Sequence, residues 1–245
     1  MGLLSQLIDI VYPPRCHLCG RFLYPAEGTL HPKHLCTECR TALKPVTHPL
    51  CAVCGNPFPT SAGQDHLCET CLRSNPWYDL ARAPYLYSTP LMDAVQRFKY
   101  QSETYLVSTL GPLVSSFAKG YISHPKEILT IPVPLHRRRL RERGFNQSLL
   151  LARAISRDLG APLDYLSLAR RKYTAPQTGL SKEKRKRNVK DAFLVLNPER
   201  VRGADILLVD DVFTTGYTLN ECARTLKRSG ARTVMCFTLA RVTAD

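Results

Sequence analysis

Two aspartates stand side by side at Asp210 and Asp211. Four aliphatic residues, Ile206 to Val209, precede them, and Val212-Phe213-Thr214-Thr215-Gly216-Tyr217-Thr218 follows. The residue types divide the chemistry. The hydroxyls of Thr214, Thr215 and Thr218, the backbone amides from Phe213 through Thr218, and a glycine at Gly216 that lets the backbone come close together suit a phosphate dianion at a helix start. Adjacent carboxylates repel a bare phosphate. They suit sugar hydroxyls, which donate hydrogen bonds, or a magnesium ion carried by a pyrophosphate. Helix capping alone needs one acid and no Thr-Thr-Gly turn, so it does not account for the stretch.

A second cluster lies at the other end of the chain. Eight of ten cysteines fall in Cys-x-x-Cys pairs: Cys16/Cys19, Cys36/Cys39, Cys51/Cys54 and Cys68/Cys71, with 16 residues between the first two pairs and 13 between the last two. Two thiolates two residues apart grip one metal from a tight turn, and two such turns complete a tetrahedral zinc site. Gly20 and Gly55 follow the second cysteine of their turns, where a left-handed residue is wanted. Two structural zinc ions are therefore expected. Sequential pairing is the simplest arrangement, and a crossed one stays open. His17, His31, His34, His48 and His66 are read as bystanders. Nothing marks the chain as secreted, and a reducing compartment favours metal over disulfides.

These groups need elements to position them. Ile206 to Val209 reads as a strand buried on both faces in a parallel sheet. The helix after the turn carries Leu219, Cys222, Ala223 and Leu226 on one face and stops near Gly230. The Asp-Asp turn is then a strand-to-helix junction at the carboxyl edge of a sheet, where open α/β folds bind ligands. Thr89-Pro90 starts a helix through Leu91, Val95 and Phe98, and a second runs from Ser102 through Phe117. Residues 128–134 read as a core strand running into a proline-fixed loop, which leads to five arginines between Arg137 and Arg143, read as an anion-binding edge. A helix with Leu151, Ile155 and Leu159 follows. Residues 163–168 and 193–196 are candidate core strands flanking a basic polar segment that suits a flap. Cys222 and Cys236 lack ligand spacing and are assigned to the core.

Residues 1–80 hold six Lys/Arg and six Asp/Glu, so the whole net charge of +14 comes from residues 81–245. Two zinc-tetrathiolate sites would lower the total to about +10. The second part is an attractor for phosphorylated small molecules, nucleic acid, or both. Cysteines stop and the charge balance changes at residues 74–79, where Trp77 is expected to pack two units together. Residues 1–78 are read as a small cysteine-rich unit and residues 79–245 as the α/β unit. Met1 to Val11 is read as an amphipathic helix (Leu4, Leu7, Ile8, Val11) rather than a signal peptide. No apolar run is long enough to cross a bilayer, and a cytoplasmic location is expected.

Residues 206–218 resemble the motif of type I phosphoribosyltransferases that binds 5-phosphoribosyl pyrophosphate (PRPP), a ligand with the phosphate, diol and metal-bound pyrophosphate described above. The ordered set extends further. It comprises the cysteine array, Pro132-Val-Pro-Leu135, Arg143-Gly-Phe-Asn-Gln147, Arg170-x-x-x-Thr-x-x-Gln177, Arg187-Asn-Val189 and the Asp-Asp-Val-Phe-Thr-Thr-Gly turn. In that order it resembles the ComF family over nearly the whole chain. The resemblance implies a double zinc ribbon followed by a type I phosphoribosyltransferase-like α/β domain, a parallel sheet flanked by helices. It implies Mg²⁺ and PRPP as ligands and a role in natural transformation, handling single-stranded DNA. Asp210 and Asp211 would hold the ribose hydroxyls and stabilise charge developing on the sugar. Phe213, Thr214, Thr215, Gly216, Tyr217 and Thr218 would bind the 5-phosphate. The loop 133–136 with Arg139 and Arg143 would face pyrophosphate, and Arg170, Gln177 and Arg187 would close over the site. Tyr217 departs from the small residue many phosphoribosyltransferases have there. No acceptor and no general base is evident, so a PRPP- or DNA-binding module without turnover stands as the alternative. For DNA, the basic runs 137–143 and 182–190 would supply charge, and Phe145 and Tyr173 would stack.

Overall fold

The computed structural model of the chain describes residues 12–23, 34–60, 62–173 and 187–243. The expected helix over residues 1–11, His31, and Gln177 lie outside them. Among the described residues, the cysteine-rich part contains two short helices, α1 (Thr37–Ala42) and α2 (Glu69–Ser74). A cysteine occupies the position before each, and the Cys36 sulfur accepts from the Cys39 amide.

The larger part is built on a parallel sheet. Its strands are β1 (Leu80–Arg82), β2 (Tyr85–Leu86), β3 (Ile128–Pro132), β6 (Asp205–Phe213) and β7 (Thr233–Arg241). Their order is β1-β7-β6-β3, with β2 following β1 along the same edge of β7. The aliphatic run of β6 splits between two cores. Leu207 and Val209 join Leu110, Leu151 and Phe237 on one face, and Ile206 and Leu208 join Leu219, Leu226 and Cys236 on the other. That two-sided burial is why the run is continuous rather than alternating.

Helices α3 (Leu91–Tyr100), α4 (Val107–Ala118) and α6 (Gln147–Leu159) contribute to the first face, and α8 (Tyr217–Arg228) covers the second. The helices α4 and α6 approach so closely that a Cβ on Gly111 would sit 2.5 Å from that of Ala154. The cysteine-rich part extends both cores: Cys16, Leu18, Cys36 and Cys39 join the first, and Cys51, Cys54 and Cys71 join the second.

Several expectations are corrected. Strand β6 continues through the Asp-Asp pair to Phe213, because its ladder with β7 continues to Phe213↔Arg241. The arginine run, for which no element was assigned, is a helix, α5 (Arg137–Arg143), which His136 caps and Gly144 ends at φ +82°. Pro90 precedes α3 rather than opening it. The segments expected as core strands add no full strand to that sheet: Leu163 makes one parallel bridge to Thr130 of β3, while β4 (Leu168–Arg170) lies antiparallel to β5 (Phe193–Val195) in a separate two-stranded sheet. A one-turn helix, α7 (Pro198–Val201), leads into β6. Trp77 is 43% exposed, and it meets the larger part at α8, where its ring lies under Arg228 and its amide donates to Asn220 Oδ1 at 2.7 Å.

Candidate functional site

The two carboxylates sit in different surroundings. Asp211 is buried, and its Oδ2 is 2.9 Å from Lys99 Nζ at the end of α3. Burial pulls the Lys99 ammonium down, and the Asp211 carboxylate more than restores it, so its pKa ends above the usual value. Asp210 is half-buried. Its Oδ1 accepts from Ser148 Oγ at 2.7 Å and from the Asp211 amide at 2.9 Å. Burial and the Asp211 charge push the Asp210 carboxyl up from 3.8 to about 7, against the Ser148 hydrogen bond and the Lys99 charge. One acid is neutralised from within the fold; its neighbour is not.

The turn after β6 has donors to spare. Gly216 precedes α8 at φ +73°, and no side chain caps the helix. Helix starts of this kind are where anions bind. Thr215 Oγ1 is buried without a hydrogen-bond partner, and Thr214 is exposed. Gly216 is required for a reason beyond ligand approach: a Cβ there would lie 2.6 Å from Cζ of Phe213. The turn rests on that ring. Tyr217 is partly buried as the first residue of α8 and does not disturb the junction.

The basic edge is assembled by the Gly-Phe-Asn-Gln stretch. Asn146 donates to the Val133 carbonyl at 3.0 Å and accepts from the Ser148 amide at 3.0 Å, tying the loop after β3 to the start of α6. Arg143 donates to Gln147 Oε1 at 2.6 Å and lies 5.4 Å over Tyr100. Arg170 lies over Phe193, near enough to Asp210 and Arg139 to feel both charges, while burial lowers its pKa. The structure thus gathers Asp210, Asp211, residues 213–218, Arg139 and Arg170 at the carboxyl end of the sheet. Arg187 is exposed at the start of the turn 187–189, and among the described residues it makes no hydrogen bond or ion pair to another predicted site residue. Of the proposed stacking groups, Phe145 is packed against Phe98 in the first core. Tyr173 is 42% exposed, with Arg138 4.6 Å over its ring. Lys99 and Ser148 are site residues that sequence reasoning missed. For Ser148 the signal was its place one residue inside a helix that starts at this edge.

The cysteines resolve into Cys16, Cys19, Cys36 and Cys39, and Cys51, Cys54, Cys68 and Cys71, each set with its sulfurs within 4.8 Å of one another. The pairing is sequential. Cys19 and Cys36 sulfurs are 3.8 Å apart and those of Cys54 and Cys68 are 3.7 Å apart. Zinc–sulfur bonds of about 2.3 Å at tetrahedral angles place sulfurs about 3.8 Å apart, so the residues fit the ion. Amides of Cys36, Cys39, Cys54 and Cys68 donate to cysteine sulfur at 3.4–3.5 Å. Gly20 and Gly55 have φ of +76° and +70°. No histidine joins either set among the described residues.

Residues 7–72 match the double zinc ribbon domain family, and residues 146–245 match the phosphoribosyl transferase domain family. Competence protein F of Haemophilus influenzae is 34% identical over 93% of this chain and 96% of its own. DNA utilization protein YhgH of Salmonella typhi is 34% identical over 95% of this chain and 99% of its own. Competence protein ComFC of Bacillus subtilis is 30% identical over 84% of each. The double zinc ribbon match and the two tetrads together support two zinc ions. No described helix is long and apolar enough to cross a membrane.

Proposed function

The chain belongs to the ComF family, and from that premise we propose that it binds Mg²⁺–PRPP at the carboxyl end of β6 and serves DNA uptake or use, the role carried in its relatives' names. The observation that carries the PRPP reading is the union of an uncapped helix start, a buried unpartnered Thr215 hydroxyl and an acid pair of which only one member is neutralised. In this reading the amides opening α8 and the threonines hold the 5-phosphate. Asp210 and Asp211 accept from the ribose hydroxyls and stabilise positive charge developing on the sugar ring. The loop 133–136, Arg139 and Arg143 face pyrophosphate, whose charge a bound magnesium ion would share. Arg170, with Gln177 and Arg187 on the same excursion between β4 and β5, closes over the ligand and excludes water. The division into residues 1–78 and 79–245 belongs to the same proposal.

Binding should depend on pH. A ribose hydroxyl needs an ionised acceptor, and Asp210 is held near 7 in the free protein. Affinity should therefore rise as pH rises through about 7. Pyrophosphate release from Mg²⁺–PRPP, with nucleobases and single-stranded DNA as candidate acceptors, tests turnover. A thermal shift with PRPP tests binding. Release stimulated by one acceptor establishes a transferase. Stabilisation without release establishes a binding module. Neither effect removes PRPP.

A second reading, a face for single-stranded DNA, is favoured by one observation. The exposed arginine helix α5 lies among exposed tyrosines, with Arg138 over Tyr173 and Arg143 over Tyr100. Cationic tracks with stacking rings bind single strands without sequence preference. Affinity that falls steeply with salt and drops on Tyr173→Ala supports it, and no binding at low salt overturns it.

A further inference from the structure

The second tetrad is fastened to the sheet by two arginines taken out of water. Arg82, ending β1, donates from Nη2 to the Ala52 carbonyl at 2.9 Å and from Nη1 to that of Val53 at 3.3 Å. Arg241, ending β7, donates from Nη1 to the Cys54 carbonyl at 2.5 Å and from Nη2 to Asn56 Oδ1 at 3.0 Å. They are 8% and 2% exposed. Arg82 Nη1 also reaches the Cys51 and Ala81 carbonyls, so all six acceptors are neutral oxygens, and Nε of each arginine is buried with no hydrogen-bond partner among the described residues. A buried guanidinium costs several kcal/mol unless a negative charge offsets it. Four thiolates on one divalent ion carry a net charge of about −2, which matches two guanidiniums. The first tetrad differs: Arg97 reaches the carbonyls of His17 and Leu18, but Glu103 answers its charge at 2.6 Å.

Arg241 has a second contact. Its guanidinium lies 4.9 Å over the ring of Phe213, and the next amide, Val242, donates to the Phe213 carbonyl at 2.8 Å. The same ring fills the space beside Gly216. The contacts Cys54–Arg241–Phe213–Gly216 are therefore unbroken from a metal-ligand cysteine to the turn that opens α8. We propose that Arg241 is a positioning residue that makes the turn 214–218 depend on the second cysteine tetrad and its zinc. With the tetrad charged, the guanidinium stays in place and holds the ring on which the turn rests. Without it, the buried cation has no counter-charge and the ring loses its support. The coupling is reciprocal, so occupancy of the turn by a phosphate should tighten zinc binding at the second tetrad and not at the first. The ligand part of this inference rests on the phosphate reading given above; the part concerning order in the turn does not.

The test uses the full zinc-loaded chain and its variants Arg241→Lys and Arg97→Lys. Amide hydrogen exchange over residues 213–219 reads the turn, and ribose 5-phosphate is the ligand probe. Arg241→Lys keeps a cation but loses the forked grip. It should speed exchange in the turn about tenfold and weaken ribose 5-phosphate about tenfold, with two zinc ions retained. Arg97→Lys should leave the turn within about twofold of wild type. Unchanged exchange in zinc-replete Arg241→Lys overturns the proposal. If that variant loses zinc, limiting chelator on the wild-type chain decides instead. Exchange at 213–219 that rises with loss from the second tetrad supports the coupling, and exchange that ignores it overturns it. Wild-type protein that ignores ribose 5-phosphate removes the phosphate reading, while the exchange result still decides the coupling.

Discussion

The second cysteine tetrad and the Asp210–Asp211 pair both crowd acidic groups, and the fold answers them differently. Around the tetrad the compensation is complete: a divalent ion for four thiolates, then Arg82 and Arg241 for the charge that remains. At the carboxylates it stops halfway. Lys99 answers Asp211, while Asp210 has a serine hydroxyl and a backbone amide. A fully answered cluster is structural, since nothing remains for a ligand to add. A half-answered one stores unfavourable charge that a ligand bearing hydroxyls or a metal can relieve, which is how perturbed acids come to mark sites.

The comparison can be broken most severely at the metal. Complete chelation should unfold residues 12–75, because so short a segment with few large apolar residues cannot hold its own fold without its metals; circular dichroism and proteolysis read this. A zinc-free chain that keeps its knuckles would deny the tetrads a structural role. Next is Lys99→Met, which should cost about 3–5 kcal/mol by leaving Asp211 buried and unpaired. Denaturant midpoints measure it, and a loss below about 1 kcal/mol would mean that Asp211 is not compensated from within.

Smaller effects sharpen the contrast. Gly55→Ala would place a Cβ 2.6 Å from the Ala81 carbonyl, whereas one at Gly20 meets nothing within 4 Å. Both have positive φ, so Gly20→Ala should cost about 1 kcal/mol and Gly55→Ala about 2–4 kcal/mol. Equal costs would argue that the second knuckle is not pressed on β1. Last is the acid pair. The Asp210 carboxyl is raised from 3.8 to about 7 in the folded chain. The fold therefore holds this proton more tightly than the unfolded chain does. The contribution is full below about pH 4 and is lost as pH rises through about 7. Asp210→Asn should flatten that slope, raise stability at pH 8 by about 1–2 kcal/mol after solvent screening, and abolish sugar-phosphate binding. Melting temperatures between pH 5 and 8 for both proteins check the sign.

What could be read from the chain was whatever is encoded by neighbours in sequence. Cysteine spacing named the eight ligands and left only their pairing open, and the run Ile206 to Thr218 located the strand, the acids and the turn. Features set by distant partners were out of reach. Lys99 looks like an ordinary helix-ending cation until α3 is laid beside β6. Arg82 and Arg241 look like strand-end surface residues until the knuckle folds over them. The extent of β6 was misjudged because aspartates are poor strand formers, yet pairing with β7 carries the strand past them. The arginine run was assigned no element because its charges hide a helix that His136 and Gly144 bound at either end.

The place of β7 in the sheet also has a consequence for the order of events in time. β7 lies between β1 and β6, and Asp79 accepts from the Val234 amide across 155 positions. A chain emerging from the ribosome makes the cysteine knuckles first and the strand that docks them last. Until residues 233–241 arrive, β1 has no neighbour and the second knuckle has no Arg241. Closure of the sheet is thus a late, long-range event that joins the two ends of the described chain in one step, and contacts of this span fold slowly. A release of synthesis just before β7 would leave metal-loaded knuckles attached to an open sheet.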